Sequence, residues 1–408
     1  MAYELVDNIP VWGRPDEGAV RQMQTCARTA AHAALMADHH LGYAVPIGGV
    51  IAYEDEISPS GVGYDIACGN KAVLLDADAA DIKKRIAPIM DDIQRQISFG
   101  IGRTNKDEVE ADLFDDDPAW HIGIAASLKD MARQQLGTVG SGNHYVDLFT
   151  DEQDRIWCGV HFGSRGLGHK LATHFIRAGG GKDGMMVEPV RLRADSDLGQ
   201  EYIACMKLAG RYAYAGRDWV CQKVATILGA EIKDSVHNHH NFAWRERHGE
   251  RDLWVVRKGA TPCFSEQRSF VGGSMGDISV IIRGRESDEA SASLYSTVHG
   301  AGRVMSRTQA AGKRRWKKGK SAVKSAVKSA VKSAVKSAGL ISREMMLQWI
   351  AEFNDVELRG AGTDESPHVY KRLPEVLNYH ADSFVIEQTL MPIGVAMAGA
   401  DEFDPFRD

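Results

Sequence analysis

The chain has 408 residues, of which 44% are hydrophobic and 25% charged, and a formal net charge of −6. That is globular composition with apolar material for a large core. It excludes a uniformly basic nucleic-acid coat, so any contact with RNA has to be a local basic patch against an acidic average. The six cysteines are scattered without a CxxC pair and read as reduced thiols. The opening residues lack a basic segment followed by an apolar stretch, and no apolar run approaches the length of a membrane span, so the expectation is a soluble, cytoplasmic protein without a membrane partner.

In chain order, Ala19, Met23, Ala27, Ala30 and Ala34 recur at helical spacing and predict a helix over 15–40. Glycines and prolines then punctuate short apolar runs from 41 to 77 (YAVPIGGVIAY, NKAVLLDAD), which read as strands and loops. Helical pattern returns over 81–96 and 123–135, and WCGVHFGS at 157–164 reads as a buried strand running into a glycine turn. Residues 198–228 read as a long amphipathic helix or helix pair, with Tyr202, Met206, Ala209 and Tyr212 on one side. From 252 the pattern is strand-rich again, in DLWVVRKGAT and then ISVIIRG. No regular βαβ alternation develops, so the expected class is α+β, mixed helices and strands in one large domain over 1–408.

One segment differs in kind. Residues 320–338 read KSAVKSAVKSAVKSAVKSA, and KRRWKK at 313–318 extends the basic run upstream. As a helix, the repeat would place its lysines in a slowly drifting stripe, repelling at i,i+4 while alanine favours the helix. The simpler reading of 313–338 is a solvated low-complexity insertion; the functional one is an electrostatic arm for RNA phosphates.

Potential metal ligands concentrate beside glycines in GVGYDIACGN (61–70), GTVGSGNHYVD (137–147), GVHFGSRGLGHK (159–170) and SVHNHHNFAW (235–244). Asp65 and Cys68, three apart on a glycine-flanked turn, could face one ion. Imidazole, thiolate and carboxylate together suit a borderline divalent metal such as Mn²⁺, Fe²⁺ or Zn²⁺. A lone histidine is usually a satisfied polar group and a lone cysteine a small buried hydrophobe; four such segments together point to a metalloenzyme. In STVHGAGRVMSR (296–307), His299 precedes a glycine-rich turn whose N–H groups can approach a phosphate, and Arg303 and Arg307 can neutralise it. That histidine can be a nucleophile, an acid or base, or only a hydrogen-bond donor. FVGGSMGD (270–277) is a glycine–serine loop, either a tight turn or a phosphate cradle.

The order of these motifs resembles the RtcB RNA ligase family, from about residue 36 to 310 and again from about 355 to 399. MADHHLGYAVPIGGVIA resembles the family's opening segment and YDIACG its Asp-Ile-Gly-Cys-Gly motif; GSGNHYVD, HFGSRGLG, HHNF, RKGAT, GGSMG, HGAGRVMSR and DESPHVYK follow in the family's order. The resemblance implies that Asp65, Cys68, His144, His161 and His240 hold two Mn²⁺ ions with Cys68 between them, His237 being the weaker competitor for the His240 role. It implies that His299 takes GMP from GTP, and that Asn143, Asp147, Ser274, Ala301, Gly302 and Tyr370 line the guanine nucleotide pocket. Asp147 stands where the family often has Glu, and Arg165 in a position suited to RNA or phosphate.

The implied activity is GTP-dependent joining of an RNA 3′-phosphate or 2′,3′-cyclic phosphate end to a 5′-hydroxyl end, in RNA repair or tRNA splicing. An archease-like activator is the protein partner the resemblance offers, and a monomer the default state. Three departures stand out: Met397 in PIGVAMAG lies near an expected lysine, Ala67 replaces the glycine between Asp65 and Cys68, and the basic insertion follows HGAGR. They leave three other readings: a metal-dependent phosphoesterase, an RNA end-capping nucleotidyltransferase, or a non-catalytic RNA-binding protein.

Overall fold

The computed structural model describes residues 3–182, 184–317, 331–353, 355–400 and 402. Two sheets organise the α+β architecture. The six-stranded sheet runs in the order Tyr3–Val6, Ile9–Trp12, His32–His40, Ile47–Tyr53, Arg251–Lys258, Asn241–His248. The second sheet runs Ile232–His239, Gly69–Asp78, Arg155–Phe162, Tyr145–Thr150, Phe384–Gly399, Ser279–Gly284, Arg268–Val271, and Glu357–Ala361 adds in parallel to Phe384–Gly399.

The helix Asp197–Leu228 is continuous. Ser196 caps its start by accepting the Gly199 N–H, and Gly229 ends it at a φ of 66°, a left-handed conformation that glycine adopts without cost. It contributes Tyr202, Met206, Ala209 and Tyr212 to one apolar core and Val220, Val224 and Leu228 to another, so a single helix packs into both.

The expected helix over 15–40 is half right. Glu17–Ala27 is helical, capped by the Asp16 carboxylate, but His32–His40 is a strand held between Ile9–Trp12 and Ile47–Tyr53. Its interior residues, Ala33 to His39, are all buried. A strand covered on both faces shows a continuous apolar run, and alanines within such a run match a helical period by accident. In the basic insertion, Lys313–Lys317 and Val331–Ser337 pair as antiparallel strands, correcting the helical geometry for that part of the repeat, while 318–330 lie outside the described residues. The six cysteines are buried and unbridged. Among the described residues no helix is long and apolar enough to cross a membrane.

Strand register gathers the chemistry at one end of the second sheet. Gly69 pairs with Phe162 and Asn70 with His161, Tyr145 also pairs with His161, and His239 pairs with Gly69. The start of two strands and the end of two others therefore coincide. His240 is the one residue between the last strand pairing there and Asn241–His248, where the chain passes into the six-stranded sheet.

Candidate functional site

At that end, Asp65, Cys68 and His144 form one group of converging ligand atoms and Cys68, His161 and His240 another, with Cys68 common to both; within each group all atoms lie within 4.8 Å of one another. Cys68 Sγ is 3.3 Å from His161 Nε2 and 3.6 Å from His144 Nε2, and the Nε2 atoms of His161 and His240 are 3.4 Å apart. Imidazole nitrogens and sulfur so close, without a carbonyl between them, suit a shared divalent cation better than mutual hydrogen bonding.

The outer hydrogen bonds support this. His161 Nδ1 donates to Asn143 O at 2.9 Å, which leaves the Nε2 lone pair facing the cluster, the usual way a ligating histidine is oriented. Both tautomers of His144 are provided for. Its Nε2–H can donate to Asp65 Oδ2 at 3.1 Å while Nδ1 accepts from Arg165 Nη1 at 3.1 Å; alternatively Nδ1–H can donate to Val139 O at 3.0 Å, which frees Nε2. Burial, above all, pushes His161 and His240 well below the usual histidine range, so both are neutral imidazoles. Burial acts to raise Asp65, but the close pairing with His144 and the Arg165 charge outweigh it and bring the carboxyl down to about 2. Burial and the Asp65 charge push the Cys68 thiol up, so a metal would have to displace its proton.

His299 follows the short strand Ser296–Val298, and its ring centroid lies 4.8 Å from that of His240. Its Nδ1 is 2.6 Å from Asp38 Oδ2, which also accepts the His299 backbone N–H at 2.9 Å. This pairing turns Nε2 of His299 away from Asp38 with its lone pair free, the orientation of a histidine nucleophile or base. Gly302 has a φ of 76°, and a Cβ there would meet the Asp38 carbonyl at 2.1 Å, so the turn closes only with glycine. Beyond it, the buried Glu365 gathers Arg303 (3.1 Å), Arg307 (3.1 Å) and the Tyr370 hydroxyl. Arg303 also stacks over the Tyr370 ring.

The ligand cluster, His299, Gly302, Arg303, Arg307, Glu365 and Tyr370 border one cleft of about 280 Å³, far more than the roughly 15 Å³ that one water needs. Asn143, Asp147, Ser274, Ala301, Gly302 and Tyr370 line it, together with the metal-type cluster and His299. Asp147 Oδ1 and the Tyr145 hydroxyl are buried without a hydrogen-bond partner among the described residues. Burial pushes the Asp147 carboxyl well up. The Ala396 backbone N–H bonds to the carboxyl and partly offsets this, but a buried oxygen left without a donor costs stability unless a ligand supplies one. Met397 reaches the same cleft with an apolar side chain.

His237 is not in the cluster: its Nε2 accepts from Arg217 at 2.7 Å and its Nδ1 faces Asp218 at 3.5 Å. Arg165 lies behind His144 and does not line the cleft. Sequence reasoning missed Asp38, hidden in the strand read as helix, and Glu365, whose segment was noted without a role for the acid. An aspartate ahead of two histidines in an otherwise apolar run was the available signal for Asp38.

A family model described as tRNA-splicing ligase RtcB matches residues 19–123 and 121–346. The chain is 32% identical over 356 residues to the RNA-splicing ligase RtcB of Escherichia coli (strain K12), covering 76% of this chain and 85% of that protein. It is 28% identical over 442 residues to the tRNA-splicing ligase RtcB of Thermococcus kodakarensis, with 89% and 86% covered. It is also 28% identical over 359 residues to the tRNA-splicing ligase RtcB of Archaeoglobus fulgidus, with 69% and 74% covered.

Proposed function

Because this chain belongs to the RtcB family of RNA ligases, we propose that it joins an RNA 3′-phosphate end to a 5′-hydroxyl end with GTP and Mn²⁺, carrying GMP on His299. The observation that carries this reading is the Asp38–His299 pair set against the Asp65, Cys68, His144, His161 and His240 cluster. A histidine oriented as a nucleophile beside a metal-type cluster is what a nucleotidyl carrier requires.

Held by Asp38 through Nδ1–H, His299 attacks the α-phosphate of GTP through Nε2. A phosphorus–nitrogen bond forms, the α–β phosphoanhydride bond breaks, and pyrophosphate leaves. An RNA 3′-phosphate oxygen then takes the GMP from His299 and regenerates the free imidazole. The 5′-hydroxyl of the second end attacks the activated 3′-phosphate, loses its proton, and GMP departs as the phosphodiester forms. A 2′,3′-cyclic end is first opened to a 3′-phosphate by water. Two Mn²⁺ ions held by the two ligand groups that share Cys68 would supply Lewis-acid neutralisation of the phosphate charge. The Gly300–Gly302 backbone and the Arg303 and Arg307 guanidiniums suit the phosphates, and Asp147 suits the guanine N1–H and 2-amino group.

The test is incubation with Mn²⁺ and α-labelled GTP, comparing wild type with His299→Ala. Acid-labile covalent label on wild type alone is expected, followed by joining of 3′-phosphate and 5′-hydroxyl RNA. No label on wild type at any Mn²⁺ concentration, with release of phosphate from RNA ends instead, would replace this reading with a phosphoesterase.

A further inference from the structure

The helix Asp197–Leu228 carries one fully buried arginine, Arg217. Nη1 donates to Ala67 O at 3.1 Å and to Phe162 O at 2.5 Å, Nη2 to His239 Nδ1 at 2.9 Å, and Nε to His237 Nε2 at 2.7 Å. Ala67 O also lies 3.2 Å from His239 Nδ1, but that nitrogen accepts from Arg217, so the carbonyl takes its proton from Nη1.

Two properties mark the four acceptors, the first common to all and the second to three. Every one is a neutral group, a backbone carbonyl or an imidazole lone pair. Three of them belong to residues next in sequence to a cluster member: Ala67 precedes Cys68, Phe162 follows His161, and His239 precedes His240. Cys68, His161 and His240 are one of the two converging ligand groups. A single planar guanidinium thus bonds to three chain segments whose strands are already paired in the sheet at Gly69–Phe162 and Gly69–His239, and adds side-chain ties just beyond those pairings: the turn before Gly69–Asp78, the end of Arg155–Phe162 and the end of Ile232–His239.

Burying a guanidinium among neutral acceptors is expensive, and where packing alone is needed an apolar side chain of similar volume serves at least as well. What an apolar residue cannot do is fix three segments in one plane. A lysine cannot either, because its donors radiate from a single nitrogen while the fork of arginine spreads them. We propose that Arg217 is the positioning residue of the metal site, setting the spacing of Cys68, His161 and His240 through their chain neighbours. The inference rests on the metal reading of the cluster given above.

Full-length, chelator-stripped protein is titrated calorimetrically with MnCl₂. In parallel it is titrated with CoCl₂, and the thiolate-to-cobalt absorption band is followed. Arg217→Lys and Arg217→Met are compared with wild type, and the far-UV circular dichroism and melting of each metal-free protein are recorded. Both variants are expected to fold. Each should bind Mn²⁺ about tenfold or more weakly, within the range that outer hydrogen bonds of metal sites command, and Arg217→Lys should shift or weaken the cobalt band. Affinities within about twofold of wild type, with an unchanged band, overturn the inference. Loss of fold in both metal-free variants also overturns it, leaving Arg217 a purely architectural residue. A wild type that binds neither ion instead sinks the metal reading on which the inference stands.

Discussion

Asp38 Oδ2 accepts both the side-chain Nδ1–H of His299, at 2.6 Å, and its backbone N–H, at 2.9 Å. The carboxylate is completely buried. Burial acts to raise its pKa, but the close pairing with His299 and the nearby Lys371 ammonium outweigh it and hold the carboxyl below the usual range. Lys371 Nζ in turn donates to Ala37 O and His39 O on either side of Asp38 in the chain, which fixes the aspartate's own backbone. The pairing decides the tautomer of His299: the proton is on Nδ1, and Nε2 is left to react.

Asp38→Asn should therefore cost far more in rate than in fold. The amide can present either its oxygen or its NH₂ to Nδ1, and the second choice favours the wrong imidazole tautomer. The initial rate of GMP attachment to His299 is expected to fall about 10²- to 10⁴-fold, the scale seen when an aspartate that orients a catalytic histidine is made an amide. Rapid-quench labelling with α-labelled GTP measures it. A rate within a few-fold of wild type would mean that His299 is oriented by something other than Asp38.

Ala67 has a φ of 60°, in the left-handed region, between Asp65 and Cys68. A Cβ in that region costs roughly 1–2 kcal/mol, while a glycine there costs up to about 1 kcal/mol more in unfolded-chain entropy. Ala67→Gly should stabilise the metal-free protein by up to about 1 kcal/mol, read as a rise in the urea midpoint, because relief of strain exceeds the entropy cost. A lowered midpoint would show that the alanine methyl, fully buried in the first apolar core, contributes more than the strain takes away.

Glu246 accepts from Arg257 through both oxygens, at 2.6 and 3.1 Å, and lies 2.8 Å from His248 Nε2, while Arg257 is fully buried. Burial acts to raise Glu246, but the Arg257 charge and the His248 hydrogen bond bring its pKa below the ordinary value. A carboxyl lowered in the fold stabilises above its unfolded pKa, and that contribution is lost as pH falls through the folded one. Glu246→Gln, which strands a buried guanidinium, should cost about 3 kcal/mol at pH 7. The gap from wild type should narrow as pH drops below about 4.5. Denaturant unfolding at pH 7, 5 and 4 checks it; a gap that widens towards acid would assign the effect to packing.

Legibility followed burial. The metal-type residues sit in short motifs where glycine, cysteine and histidine crowd together, so both composition and family resemblance mark Asp65, Cys68, His144, His161 and His240, and strand register brings them together. Asp38 was illegible because a strand covered on both faces has no period to betray it, and its alanines imitate a helix. Arg217 was hidden for the opposite reason. In an amphipathic helix an arginine is read as solvent-facing, since fully buried arginines are rare, and only the three-dimensional meeting of Ala67, Phe162 and His239 reveals its acceptors. His237 and His240 could not be separated by spacing, because which of them faces the cluster depends on where the chain leaves one sheet for the other.

Asp147 offers the sharpest test of the nucleotide assignment. It lies on Tyr145–Thr150, across from Gly159 and Val395, with Oδ1 unpaired and its carboxyl facing the cleft. If it accepts the N1–H and 2-amino protons of guanine, inosine triphosphate, which lacks the amino group, should bind about tenfold more weakly than GTP. Replacing the acid removes the acceptor for both protons. Guanine's two donors favour the ionised form that burial alone disfavours, so Asp147→Ala should then weaken GTP about 10- to 100-fold and should bring GTP and inosine triphosphate to near equality. The neighbouring Met397 offers only a weak thioether acceptor in its place. Competition between the two nucleotides for labelling of His299, in wild type and variant, reads the ratio directly. A preference for GTP that survives in Asp147→Ala would move base recognition to another part of the cleft.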